Sequence, residues 1–401
     1  MIKFSIVNYI FVILLFRLLF GLEIYYILYA NEISLYFIDN ITLFLLCTAA
    51  LVKFSRNYKI PLYFIAIFSI ITFYLFYSFY IDIVPYKAVV SDILQFKPFL
   101  IFFFMYYLFE KFSKKQEQFI RYACYINIFI MLAIALIFEG GIMGNKVDVP
   151  LTATITGLIY LWVSPQNRRN ILIAILTFSI GLTSGRSKMY GFYIVALSVL
   201  LFLKRYAKIE FTKKIVVVFI ILIPIIVLVA YAKIRWYFIE PSYLTVRPLL
   251  YIGAWNILNE YFPFGSGFAT YASQASSDYS SPVAYENIPV RFFEENEEFY
   301  FMEDVYYPRL AQFGWFGALL FVLFWVRNFK KCSYYCDITK NFINQKIAFL
   351  IIAFFAIESV AYFTLVTPQG TTAMMFFAMV LKTEEIKSKT ILNQVRFECP
   401  A

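Results

Sequence analysis

Apolar residues along this chain come in successive runs of about 17 to 25, each closed by a short polar or basic segment. One such run matches the roughly 30 Å of hydrocarbon that a membrane-crossing helix has to span. Membrane barrels alternate apolar and polar positions, and this chain does not. Lipid offers no partner for unpaired backbone groups, so the runs are predicted to be helices. The pattern places them near 6–28, 35–52, 60–80, 93–110, 119–138, 150–163, 170–183, 188–203, 215–232, 305–326, 347–366 and 370–381, about twelve spans in all. Those at 150–163, 170–183 and 370–381 fall short of the roughly 20 residues a straight span needs, so shifted edges or a re-entrant pair are expected there. The first run has no small-residue cleavage site and contains Arg17, so it is expected to be a retained span rather than a signal peptide.

One polar interval stands apart. From Lys233 to about Asp304 the chain runs for roughly 70 residues rich in Tyr, Pro, Ser and acidic side chains, too long for a connector. Within it, Leu250, Ala254, Ile257, Leu258 and Tyr261 recur at helical spacing and predict a helix over 246–261 lying along the membrane surface. Pro263-Phe-Gly-Ser-Gly-Phe268 ends that helix, and the stretch from Tyr271 to Tyr285 reads as irregular. With no internal repeat and no linker-like segment, the expectation for 1–401 is a single all-α polytopic membrane domain containing one large extracytoplasmic loop, 233–304.

Composition excludes the soluble alternative: no water-facing surface hides 62% hydrophobic residues at a mean hydropathy of +0.73. The net charge of +10 does not point to nucleic acid, because Lys and Arg fall in short clusters between spans: Lys53/Arg56/Lys59, Lys111/Lys114/Lys115, Arg168/Arg169, Lys204/Arg205/Lys208/Lys213/Lys214, Arg327/Lys330/Lys331 and Lys382/Lys387/Lys389. With twelve spans all of these lie on one side, which by the positive-inside rule is the cytoplasm and takes both termini with it. Cys47 and Cys124 fall inside spans and Cys332, Cys336 and Cys399 in basic segments, so no disulfide is expected. The chain has no His and no Cys pair at ligand spacing, and no metal or other cofactor is expected.

On this topology the outer side is poor in charge, and the charges found there carry the chemical information. Arg186 and Lys188 lie in a tight outer turn, Thr183-Ser-Gly-Arg-Ser-Lys188; Arg247 opens the surface helix; Arg235, Arg291 and Arg309 flank it. A guanidinium fork grips phosphate oxygens in pairs and keeps its charge in a half-dry cleft, so converging arginines suit a lipid diphosphate. Glu303 and Asp304 stand where the loop enters the next span, and a carboxylate in such a cleft is placed to act as general base on a sugar hydroxyl. Arg17, Lys97 and Glu358 are ionisable residues inside spans, expected either to pair between helices, Glu358 with one of the two cations, or to serve a site. Trp236, Tyr271 and Tyr285 are candidates for stacking on sugar rings.

The outer Ser-Gly-Arg-Ser turn, the large late loop, Arg247-x7-Trp255 followed by Pro263-Phe-Gly-Ser-Gly-Phe268, and Asp304 ahead of Gly314-Trp-Phe-Gly317 together resemble the O-antigen ligase and polymerase superfamily. Within it the chain is most similar to the Wzy-type polymerases of O-antigen and capsular polysaccharide, recognisably over about 150–330. The resemblance implies a GT-C-like, metal-independent glycosyltransferase in the bacterial cytoplasmic membrane, joining undecaprenyl-diphosphate-linked oligosaccharide repeats at its outer face. Membrane lipid and a chain-length regulator would be its further partners. By that analogy Arg186 and Arg247 would hold the donor diphosphate; Lys188, Arg291 and Arg309 as further substrate-binding residues, and Asp304 and Glu303 as catalytic carboxylates, are expected from their charge and placement alone. Ligases of the superfamily carry a His near the position of 302–304, and its absence here favours polymerase over ligase. A lipid-linked oligosaccharide flippase or other transporter is the main rival, although such proteins usually show two related halves, which this chain lacks.

Overall fold

The computed structural model describes residues 6–20, 37–57, 60–137, 148–202, 208–209, 235, 246–288 and 305–398. Among these it is all-helical, without a strand. Five helical stretches are long and apolar enough to cross a membrane: Phe37–Ser55, Leu62–Ile81, Tyr86–Leu108, Lys114–Ala135 and Tyr307–Thr339. Three shorter apolar ones, Ile6–Leu19, Val149–Val163 and Ser187–Leu201, accompany them. The predicted span at 215–232 lies outside the described residues.

In chain order the helices are α1 (Ile6–Phe20), α2 (Phe37–Asn57), α3 (Leu62–Ile81), α4 (Tyr86–Asp92), which passes through a 3-10 turn into α5 (Lys97–Leu108), α6 (Lys114–Ile137), α7 (Asp148–Val163), α8 (Arg168–Ile180) and α9 (Ser187–Leu197). The large loop holds α10 (Val246–Glu260) and two short helices, α11 (Gln274–Asp278) and α12 (Pro282–Asn287). The chain then forms a 3-10 helix, Tyr307–Phe313, followed by α13 (Gly314–Thr339), α14 (Phe342–Glu358) and α15 (Pro368–Glu398). A helix is present over the stretch expected at 246–261, as α10, whereas the stretch read as irregular holds two short helices, and Ser273 and Ser276 form a reciprocal capping box at the start of α11. Polar serines pointed to loop there, but the same hydroxyls serve as helix caps.

Two predicted spans near the end shift. The one placed at 305–326 has its α-helical body at 314–339, because Gly314 adopts φ +59° and separates the 3-10 turn from α13. The one placed at 370–381 is the apolar start of the 31-residue α15. From Ala373 to Leu381 no side chain is more than 1% exposed, and α5, α13, α14 and α7 pack around it. The first polar turn beyond it is also enclosed: Glu384, fully buried, accepts from Thr339 Oγ1 at 2.6 Å, Asn344 Nδ2 at 2.6 Å and Lys387 Nζ at 2.9 Å.

Charges inside the bundle are matched, but not in the pairing expected from sequence. Arg17 Nη2 meets Asp39 Oδ1 at 2.7 Å, and its other nitrogens donate to Thr42 and Thr372 at 2.8 Å. Lys97 Nζ donates to Asn40 at 3.0 Å. Glu358 pairs with neither; its partner is Lys188. Low dielectric makes an unmatched charge expensive, and which helices meet decides the match.

The two glycine-bearing motifs that drew attention in the sequence dock on each other. Gly265 (φ +80°) and Gly314 (φ +59°) bring their backbones so close that a Cβ on either would lie 2.3 Å from the nitrogen of the other. Around them the loop 263–272 is tied by its backbone: Gly267 N to Gln312 O at 2.8 Å, Phe268 N to Ser78 Oγ at 2.8 Å, Ala269 N to Asp92 Oδ2 at 2.6 Å and Phe316 N to Pro263 O at 3.1 Å. These bonds fix α10 against α3, α4 and the start of α13. Gly265→Ala is therefore expected to lower stability by about 2 to 4 kcal/mol, because the new methyl meets backbone that has no rotamer to yield. A thermal melt of the purified protein checks this, and an unchanged midpoint would contradict the docking.

Candidate functional site

Three stretches far apart in sequence meet at the end of the bundle where α15 begins. The first is the turn before α9: the 3-10 helix Gly181–Ser184 is closed by Gly185 in the left-handed region (φ +65°), which swings the chain so that Arg186 takes the N-cap position of α9 and Lys188 its first turn. The second is the start of α10, where Arg247 precedes Pro248. The third is the end of α14, where Glu358 is followed by a non-helical connection through Val360 and Tyr362.

At their junction Lys188 Nζ lies 2.5 Å from Glu358 Oε2. The contact is an ion pair rather than a well-aligned hydrogen bond, but at that separation charge attraction alone is large. Glu358 is fully buried and the Lys188 side chain is 12% exposed. Thr364 Oγ1 stands 3.5 Å from the same carboxylate oxygen, while Oε1 has no hydrogen-bond partner among the described residues. The Tyr362 ring lies under both cations, 5.5 Å from Arg186 Cζ and 4.8 Å from Lys188 Nζ, within cation–π range. The charges of Arg186 and Arg247 both act on Lys188. Arg186 is half-buried, and its Nη1 is enclosed without a hydrogen-bond partner among the described residues.

Tyrosines fasten the large loop to this junction. Tyr251 of α10 donates to Val360 O at 2.8 Å, and Tyr307 donates to Ala356 O at 3.1 Å. Both bonds end on the last turn of α14 or just beyond it, so the position of Arg247 relative to Glu358 is set by hydroxyl-to-carbonyl contacts. An ammonium, a guanidinium with an unmet donor and one buried carboxylate, with Arg247 acting on the ammonium, form an arrangement suited to a multiply charged anion.

Of the residues singled out from sequence, Arg186, Lys188 and Arg247 are brought together. Arg309 is turned inward: it is 4% exposed, its Nε donates to Ala272 O at 2.9 Å, and its charge acts on the buried Asp92. The reading of Arg309 as a substrate-binding residue gives way to a structural one, since a guanidinium committed to the loop carbonyl and an internal acid braces the loop. Tyr271 is likewise no sugar platform, being fully buried with its hydroxyl on Leu250 O at 2.9 Å. Asp304, Glu303 and Arg291 lie outside the described residues, as does Trp236. Arg235 is exposed. Tyr362 and Tyr251 went unnoticed in a chain with 33 tyrosines, and no spacing in the sequence marks them out.

The fold and junction define an all-helical protein, with helices fit to cross a membrane and an anion-suited cluster at one end of its bundle. The sequence matches no described protein family, and no curated protein matches it.

Proposed function

We propose that this chain is a polysaccharide polymerase of about twelve spans and GT-C-like architecture. It would join undecaprenyl-diphosphate-linked oligosaccharide repeats at the outer face of a bacterial cytoplasmic membrane, with both termini cytoplasmic. The observation that carries this reading is the convergence of Arg186 and Lys188 with Glu358 and Tyr362 under the influence of Arg247, in which an enclosed guanidinium nitrogen has no hydrogen-bond partner among the described residues. The likeness to Wzy-type polymerases rests on the sequence motifs alone.

In this reaction an acceptor sugar hydroxyl attacks the anomeric carbon of the donor chain. The bond from that carbon to the diphosphate oxygen breaks, and the electron pair leaves with the lipid diphosphate. Negative charge grows on the leaving group, where fixed cations lower the barrier most. Arg186, Lys188 and Arg247 would meet that charge. Glu358, committed to Lys188, acts as their counter-charge and holds the ammonium in place. The hydroxyl proton passes to a carboxylate, for which Asp304 and Glu303 are proposed.

A transporter is the second reading, favoured by the buried pairs Arg17–Asp39 and Lys188–Glu358, since intramembrane ion pairs suit alternating access. Purified protein supplied with lipid-linked repeats separates the two. A polymerase yields a ladder of lengthening lipid-linked glycan and free undecaprenyl diphosphate; a transporter leaves single repeats, and that result would end the polymerase proposal.

A further inference from the structure

At the end of the bundle opposite Arg186, basic side chains of α2, α13 and α15 gather around two acids, Glu110 and Glu385, beside Tyr106 and Tyr107 of α5. Tyr106 of α5 donates to Glu385 of α15, which also receives Lys389 Nζ at 2.6 Å and Lys382 Nζ at 3.1 Å. Burial alone would raise the Glu385 carboxyl, but the hydrogen bonds from Lys389 and Tyr106 and the charge of Lys382 prevail and hold it at about 2. It stays ionised and keeps its neighbours anchored. The ammonium groups of Lys331 and Lys382 both sit over the Tyr106 ring, at 4.3 and 5.0 Å. Lys53 of α2 donates to Tyr107 O at 3.0 Å and lies 4.8 Å from the Tyr107 ring. Arg327, Lys382 and Lys389 act on Lys331, and Lys382 and Glu110 act on Lys53. Five cations (Lys53, Arg327, Lys331, Lys382 and Lys389) thus surround two carboxylates (Glu110 and Glu385). Neither Arg327 nor Lys331 has an ion-pair partner among the described residues.

We propose that this end of the bundle binds the headgroup of an anionic phospholipid in the adjoining leaflet. The excess of cations calls for an anion, and the surface leading up to them says which kind. On α13 Leu319, Val322, Leu323 and Val326 are 56, 54, 48 and 42% exposed at spacings of three and four, one helical face that ends at Arg327. On α2 Phe44, Leu51 and Val52 are 70, 61 and 46% exposed and lead to Lys53. An apolar stripe terminated by fixed positive charge complements a molecule with acyl chains below a phosphate, whereas a free anion would gain nothing from the stripe. The site shares no residue with the Arg186 cluster and depends only on the chain lying in a bilayer.

The test is native mass spectrometry of the full-length protein in mild detergent, with phosphatidylglycerol and phosphatidylcholine of identical acyl chains as probes. Phosphatidylglycerol is expected to be retained about tenfold over phosphatidylcholine, given roughly 1 kcal/mol for each basic side chain that meets an anionic headgroup. The double variant Arg327→Gln/Lys331→Gln should bring the ratio close to one, while Arg168→Gln/Arg169→Gln, which neutralises exposed basic residues on α8, should leave it unchanged. On the wild-type protein a photoactivatable phosphatidylglycerol should label peptides from 319–331, a readout independent of how the variants fold. Equal retention of the two lipids, equal loss in both double variants, displacement by inorganic phosphate, or labelling confined to other segments would each overturn the proposal.

Discussion

Arg186→Ala is expected to abolish long-chain product, with a loss of at least about 100-fold in elongation rate, the usual consequence of removing one fixed donor from a developing anion. The residue is singled out by geometry: its guanidinium stands on the Tyr362 ring beside the Lys188–Glu358 pair, and its enclosed Nη1 has no acceptor among the described residues. Because Arg186 occupies an N-cap position without a side-chain cap bond, truncation removes the charge and leaves the turn built by Gly185 in place. The measurement is the ladder assay with purified variant and lipid-linked repeats, accompanied by a thermal melt. Arg186→Lys should recover only part of the activity, since an ammonium does not offer the paired donors of a guanidinium. Wild-type chain length from Arg186→Ala would remove the diphosphate assignment.

Glu358→Gln carries the second large effect, and here stability and activity should separate. Removing the carboxylate leaves the Lys188 ammonium almost enclosed next to Arg186, with its only ion-pair partner among the described residues gone. Breaking a buried pair from one side destabilises by about 3 to 5 kcal/mol, so the melting midpoint should fall sharply. Neutralising both partners, as in Lys188→Met/Glu358→Gln, should restore most of that stability, because the nearly enclosed ammonium that lost its carboxylate is removed as well. Polymer formation should stay lost in the double variant, since a cation of the site is missing. Should the double variant elongate normally, the pair is a packing device only and has no part in binding the anion.

Much of the helical layout was legible because lipid imposes a blunt rule: a run long enough to span hydrocarbon has to satisfy its own backbone. That rule located α2, α3, α6 and the stretch from α4 to α5 from hydropathy alone. It failed at the edges near Gly314 and Glu358: the first break depends on a left-handed glycine, and α14 stops at Glu358 although the apolar run predicts a span continuing to 366. The site was half legible. Arg186, Lys188 and Arg247 could be singled out because charge away from the basic loops is scarce on the expected topology. Arg309 satisfied the same criterion, yet the structure turns it inward onto Ala272 and Asp92, a difference that depends on how the loop folds back.

The sequence by itself determined that the chain is helical and apolar, where its charges are sparse, and which of those charges suit phosphate. Those properties follow from residue type and short-range periodicity, which every segment carries independently of the rest. Only the tertiary structure decided that Glu358 pairs with Lys188 and Arg17 with Asp39, that Tyr362 underlies two cations, and that the Gly265 and Gly314 turns lock together. Partner choice between helices depends on which faces the bundle brings within a few ångströms. In low dielectric that distance decides whether a charge is matched or left alone.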